Sequence, residues 1–208
     1  LVAVGQTFTL LAGGFDLSVG GVICVTNSLM AVNAGSTVGG QIMWALICLA
    51  IGLGIGAFNG WAIHATGMQP FIVTLATGSA SYGVALLILK VDGGDVSPSF
   101  SDALLVRYGA VTLSMVLTIL IVLLWIWFRR TDQGLALFAV GSDARAAHLN
   151  GVRVASTTIL AYAVSGGFAA LAGIYRTAQV ASGSPTAGQS FVILSIAAAV
   201  VGGTAIGG

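Results

Sequence analysis

An all-α, polytopic membrane bundle with broken helices is the fold class this sequence predicts. Three observations carry that prediction. Hydrophobic residues fill 57% of the 208 positions and charged ones only 6%, with a mean hydropathy of +1.04. A soluble domain needs many more charges to cover its surface. Several apolar runs reach the roughly 20 residues that a spanning helix requires. Polar, glycine-bearing stretches interrupt other apolar runs. In lipid every backbone N–H and C=O must find an internal partner, so helices are the expected spanning element.

Taken in order, residues 1–12 form an apolar piece that looks cut off. A shorter helix is expected at 17–34, and complete spans at 42–64, 71–90, 109–128 and 157–178. A last broken piece covers 190–208. The chain starts at Leu1 inside an apolar run and stops at Gly208 in mid-pattern, so it reads as an internal portion of a longer protein. One membrane domain is expected over 1–208. Gly13-Gly-x-x-Leu17 is echoed by Gly202-Gly-x-x-Ile206, which points to a two-half pseudo-repeat.

Cation placement orients the bundle. Trp125-Ile-Trp-Phe-Arg-Arg130 closes one span with aromatic rings and two cations, and Arg145 and Arg153 follow in the same connection. The positive-inside rule makes 129–156 a cytoplasmic loop. Counting spans then puts 35–41, 91–108 and 179–189 outside and 65–70 inside. The 91–108 segment, rich in turn formers, is a short extracytoplasmic loop.

Small residues recur on single helix faces. Gly52, Gly56 and Gly60 share one face, and Ser165, Ala169 and Gly173 share another. Such faces let backbones approach closely.

Two stretches carry polar groups where lipid disfavours them. Gly13-Gly-Phe-Asp-Leu-Ser-Val-Gly20 reads as a helix break. Asp16 either caps a helix starting near Leu17 or shapes a solute path, because a carboxylate near membrane depth is costly. Candidate path residues are Asp16, Ser18, Asn59, Phe71 and Thr74. Asn59 equally suits a helix-to-helix hydrogen bond. Pro70 marks a helix start before Phe71.

The second stretch is the polar island 138–153. Ser142 or Asp143 suits the N-cap of a short helix, Ala144 to Leu149 are mostly good helix formers, and Gly151 is a natural stop. One or two turns are marginal alone, so this helix needs something to pack against. A partner groove would meet Ala144, Ala147 and Gly151 closely, with Arg145 and His148 flanking. The membrane surface or the bundle itself is the alternative.

Several function classes are excluded. A net charge of +1 gives no nucleic-acid argument. Lys90 is the single lysine and no phosphate-binding glycine loop exists, so ATP-Mg, if used, belongs to another subunit. No cofactor or metal-ligand spacing appears, and Cys24 and Cys48 read as small buried hydrophobes. Without Glu and with two isolated His, a membrane-embedded enzyme is disfavoured.

The motifs then match a family. Gly13–Gly20, Phe58-Asn-Gly60 with Gln69–Leu75, Ala139–Val154, and Ser165–Gly173 with Ala198–Thr204 follow one another as they do in permease subunits of ribose-type bacterial ABC importers. The chain resembles that family over essentially its whole length. Departures are Gly141-Ser-Asp143 where the family often has Gly-Gly-Asn, and Asn150 in place of a more usual Ser. The resemblance implies a permease pair, homo- or heterodimeric, in the bacterial cytoplasmic (inner) membrane. It implies a separate ATP-binding subunit, an external solute-binding protein and a monosaccharide or similar solute. Gly141, Asp143, Ala144, Arg145, Ala147, His148 and Gly151 would then dock on the ATPase. The rival reading is a secondary transporter or channel with Asp16 as its proton or cation site.

Overall fold

A computed structural model describes residues 1–108 and 111–204. Its elements are α1 (Val2–Leu11), α2 (Val19–Asn33), α3 (Val38–Thr66), α4 (Pro70–Ile88), α5 (Pro98–Leu104), β1 (Arg107–Tyr108), β2 (Val111–Thr112), α6 (Leu113–Phe128), α7 (Asp132–Ser142), α8 (Ala144–Leu149), α9 (Val154–Val180) and α10 (Gln189–Val201). The fold is an all-α polytopic bundle. α3, α4 and α9 are long and apolar enough to cross a membrane, and α6 with α7 makes a fourth span if that pair, bent by 77°, is counted as one. The expected second glycine echo ends at Ile206, outside the described residues.

Helix ends follow local chemistry. The Thr37 hydroxyl accepts from Gly40 N–H at 3.2 Å and opens α3. α3 stops at Gly67, which takes a left-handed φ of 67°. Pro70 opens α4. Thr131 accepts from Gly134 N–H at 3.2 Å and starts α7 inside what the sequence offered as a loop. The 91–108 segment folds as the short helix α5 and one arm of an antiparallel ladder pairing Arg107 with Thr112.

α9 is the axis of the bundle. Within its most apolar stretch 61% is buried, against 22% for α3, so α3 turns most of its surface outward. The two small-residue faces do different work. Gly52, Gly56 and Gly60 of α3 lie on the backbone of Gly166, Tyr162 and Ile159 of α9. Ser165, Ala169 and Gly173 point the other way, towards α1 and α2, where Ala169 joins Val2, Val19, Val22 and Ile23 in an apolar core. One helix thus presents two close-contact faces, and both neighbours can approach to backbone distance.

Side chains lock the two ends of this core. At one end the Asn27 amide donates to the Thr177 hydroxyl at 2.8 Å and its oxygen accepts from Ser184 N–H at 2.6 Å. At the other, Phe8 of α1 packs edge-on to Trp125 with ring centroids 5.2 Å apart, which ties α6 to the bundle. α6 itself buries no residue.

Gly56 tests the packing. A Cβ there would lie 2.0 Å from the Tyr162 carbonyl oxygen. Gly56→Ala should therefore push α3 off α9 and lower the thermal unfolding midpoint of the full-length protein, at a cost of about 1–3 kcal/mol. Gly54, two residues earlier, faces open space. Gly54→Ala should leave the midpoint unchanged or raise it, since alanine is the better helix former.

Candidate functional site

The stretch between α1 and α2 turns the chain back inside the bundle, and its backbone groups find partners in many places. Gly13 and Gly14 N–H donate to Leu10 and Thr9 carbonyls at 3.0 and 2.9 Å. The Phe15 carbonyl accepts from the Tyr162 hydroxyl at 3.3 Å and from the Thr74 hydroxyl at 3.5 Å. With its amide turned to match its neighbours, Gln6 donates to the Asp16 carbonyl at 3.2 Å and accepts from Asp16 N–H at 3.1 Å. This is how a non-helical stretch survives in a low-dielectric core.

Asp16 is the centre of that arrangement. It is fully buried. Its Oδ1 accepts from Ser18 N–H at 2.9 Å and from the Ser18 hydroxyl at 2.5 Å. The Asn59 amide donates to the same hydroxyl at 2.9 Å. Asp16 thus accepts a backbone N–H at the entry to α2, whose N-cap is Ser18 rather than Asp16 itself. Asp16, Ser18, Asn59 and Thr74 come together and are all fully buried, whereas Phe71 stands 52% exposed on α4. Gln6, Tyr162 and Ser165 also belong to the cluster. Sequence reasoning passed over Gln6 and Tyr162 and took Ser165 only as part of a close-packing face, although Gln6 is a long polar side chain inside an apolar run.

Of two cavities in the bundle, the smaller borders the break through Leu17 and the larger does not. One of about 230 Å³ lies against Leu17, Gly21, Gly78, Tyr82 and Gln189, between α2, α4 and α10. The other, about 470 Å³, is bordered by Leu1, Ser114, Arg176, Gln179, Phe191 and Ser195 among others. Arg176 sits over the Phe191 ring, 5.7 Å from its centroid. Asp16, Ser18, Asn59 and Thr74 border neither cavity.

The island forms α8. Asp143 Oδ1 accepts from the N–H groups of Arg145 and Ala146 at 2.8 and 3.0 Å, which selects Asp143 over Ser142 as the cap. Gly151 follows with φ 83°. Ala147 alone of this helix turns into the bundle. Ala144, Arg145 and His148 are exposed, and Leu149, which the sequence did not single out, is 85% exposed. Gly141, at the end of α7, is lodged against α1. A Cβ there would meet the Leu11 carbonyl oxygen at 1.9 Å. The α8 segment is thereby joined to the turn that leads into the Asp16 break.

Comparison with known proteins now bears on this arrangement. The family described as "branched-chain amino acid transport system / permease component" matches residues 1–208. The chain belongs to that family. A ribose import permease protein of Bacillus subtilis is 34% identical over 218 residues, covering 100% of this chain and 66% of the relative. A fructose import permease protein of Bifidobacterium longum is 32% identical, over 99% of this chain and 60% of its own length. The D-allose transport system permease protein of Escherichia coli K12 is 32% identical, over 100% and 64%. The chain therefore spans slightly less than two thirds of each of these relatives. No solved structure matches it.

The cap on α8 gives a prediction. Asp143→Ala removes two hydrogen bonds from a helix of about two turns and should cost about 1 kcal/mol of local stability. Amide exchange over 144–149 should speed up, while exchange in α9 stays as it was. Asp143→Ser should restore most of the protection.

Proposed function

We propose that this chain is the membrane-spanning permease subunit of an ATP-driven importer. It forms part of the translocation path for a monosaccharide or similar small polar solute. Family membership supports the class, and the ribose, fructose and allose import permeases among its relatives support the solute. Its setting would be the bacterial cytoplasmic membrane. Its partners would be a second permease subunit, a separate ATP-binding subunit holding ATP-Mg, and an extracytoplasmic solute-binding protein.

One observation carries the docking side of this reading. α8 is a capped, isolated helix that keeps one residue for the bundle and exposes the rest, including a large apolar side chain at its tip. An exposed Leu beside Arg145 and His148 is a surface suited to a protein groove, where a buried apolar anchor and flanking polar groups supply most of the affinity. On this reading the loop 129–156 is cytoplasmic and 91–108 faces outward. Ala144, Arg145, His148 and Leu149 make the contact. Asp143 and Gly151 shape the helix, Ala147 seats it, and Gly141 relays its position to α1.

The solute side rests on the break. Asp16, Ser18, Asn59 and Thr74 fix the turn from behind, and the residues that follow it, Leu17 and Gly21, border the 230 Å³ cavity. Phe71 would act from the exposed face of α4, towards lipid or a second permease subunit.

The test is co-purification. Full-length permease should bring down a stoichiometric ATP-binding subunit in mild detergent. Leu149→Asp or Arg145→Glu should lose that subunit and the solute-stimulated ATPase activity. The unfolding midpoint of the isolated permease should not change, because both side chains are exposed. Retention of the ATPase by both variants would refute the docking surface. A permease that purifies alone and transports along a proton gradient would favour a secondary transporter instead.

A further inference from the structure

Three buried polar atoms around the break have no hydrogen-bond partner: Asp16 Oδ2, Asn59 Oδ1 and Ser165 Oγ. They come from the α1–α2 break, α3 and α9, and their residues are all fully buried. The Ser165 hydroxyl lies within hydrogen-bonding reach of the Asp16 carboxyl, without the geometry of a fully formed bond. Orphaned buried polar atoms are uncommon, and three in one cluster call for one shared explanation.

Their chemistry is uniform. A carboxylate oxygen, an amide carbonyl oxygen and a hydroxyl oxygen are hard donors, the set that takes hard cations. The charge is lopsided as well. Asp16 spends Oδ1 on Ser18, and no Lys, Arg or His pairs with its carboxylate among the described residues. Tyr162 is the titratable group beside it, and its hydroxyl donates to the Phe15 carbonyl rather than to the carboxylate. A lone carboxylate at this depth is costly unless it is compensated. The frame around it is rigid. Asn59 is held by the Ser18 hydroxyl, and α3 and α9 touch through glycine beside it. Breaks between half-helices, with carbonyl ends close by, are where membrane proteins hold monovalent cations.

We propose that the α1–α2 break binds one small, hard monovalent cation of sodium size between Asp16 Oδ2, Asn59 Oδ1 and Ser165 Oγ. The ion satisfies all three oxygens and neutralises the buried charge. It clamps the break to α3 and α9, as a built-in part of the bundle rather than a transported solute. The proposal stands apart from the importer reading, because it concerns the integrity of the break and not what crosses the membrane.

The experiment uses full-length permease in detergent. Its thermal unfolding midpoint is followed while sodium chloride replaces choline chloride at constant ionic strength. A saturable rise with sodium is expected, together with binding of about one radiolabelled sodium per chain, since a ligand of the native state raises its stability. Ser165→Ala should shift the titration to higher sodium. Asp16→Asn should abolish it.

Three results would overturn the site. One is a wild-type midpoint indifferent to sodium, with no sodium bound. Another is the same titration in Asp16→Asn as in wild type. The third is radiolabelled sodium bound by Asp16→Asn as tightly as by wild type, which would place the ion elsewhere. The wild-type titration and the binding measurement need no variant to fold.

Discussion

Everything in this bundle depends on a chain reversal held by side chains from the surrounding helices. α2 is too short to cross a hydrocarbon core of about 30 Å, and most of the backbone in the stretch before it lies outside regular helix bonding. Side chains from α1, α4 and α9 supply partners there through Gln6, Thr74 and Tyr162, while Asp16 closes on Ser18. If the break lost these bonds, several amide groups would lie unpaired in a low-dielectric core, each at a cost comparable to the hydrogen bond forgone. The surrounding helices are therefore arranged to reach the break, and their close approach is a condition of that reach. α3 delivers Asn59 to Ser18 only because its glycine face lets it lie on the α9 backbone.

How much of this was legible in the sequence follows from the range of the forces involved. The long helices announced themselves, since an apolar run of spanning length has few other fates in lipid. The runs expected at 42–64, 71–90 and 157–178 fold as α3, α4 and α9 with ends moved by a few residues. α8 was legible because its cap and its stop are local: Asp143 bonds the next turn and Gly151 takes the left-handed φ. Asp16, Ser18, Asn59 and Thr74 could be picked out singly because each is polar inside an apolar run. That they meet could not be read, because Asn59 is 41 residues away from the Ser18 hydroxyl it reaches and Thr74 is 59 away from the Phe15 carbonyl.

The misreadings have the same origin. α7 was absorbed into a loop because its pattern is mixed, and only the Thr131 cap and the sharp bend after α6 make it an element of its own. Helical period showed that Ser165, Ala169 and Gly173 share a face but not which neighbour they meet. They serve α1 and α2, while the residues beside them receive α3. Ala147 and Leu149 reverse what composition suggests. The small residue seats the helix on the bundle, and the large apolar one points outward.

The same geometry gives the docking proposal a mechanical route. Gly141 rests against the Leu11 carbonyl, and Leu11 is the last residue of α1 before the break. Between them stands no side chain that could yield, so a shift of α7 and α8 is passed to backbone and not absorbed by rotamers. α1 in turn reaches the break through Gln6, whose amide holds both backbone groups of Asp16. A force applied at α8 would thus arrive at the one place where the helices are already interrupted and where a small rotation needs no helical hydrogen bond to break. The decisive quantity is whether a Cβ at Gly141 separates ATPase activity from transport while leaving the ATPase bound, since that substitution disturbs the link and spares both ends.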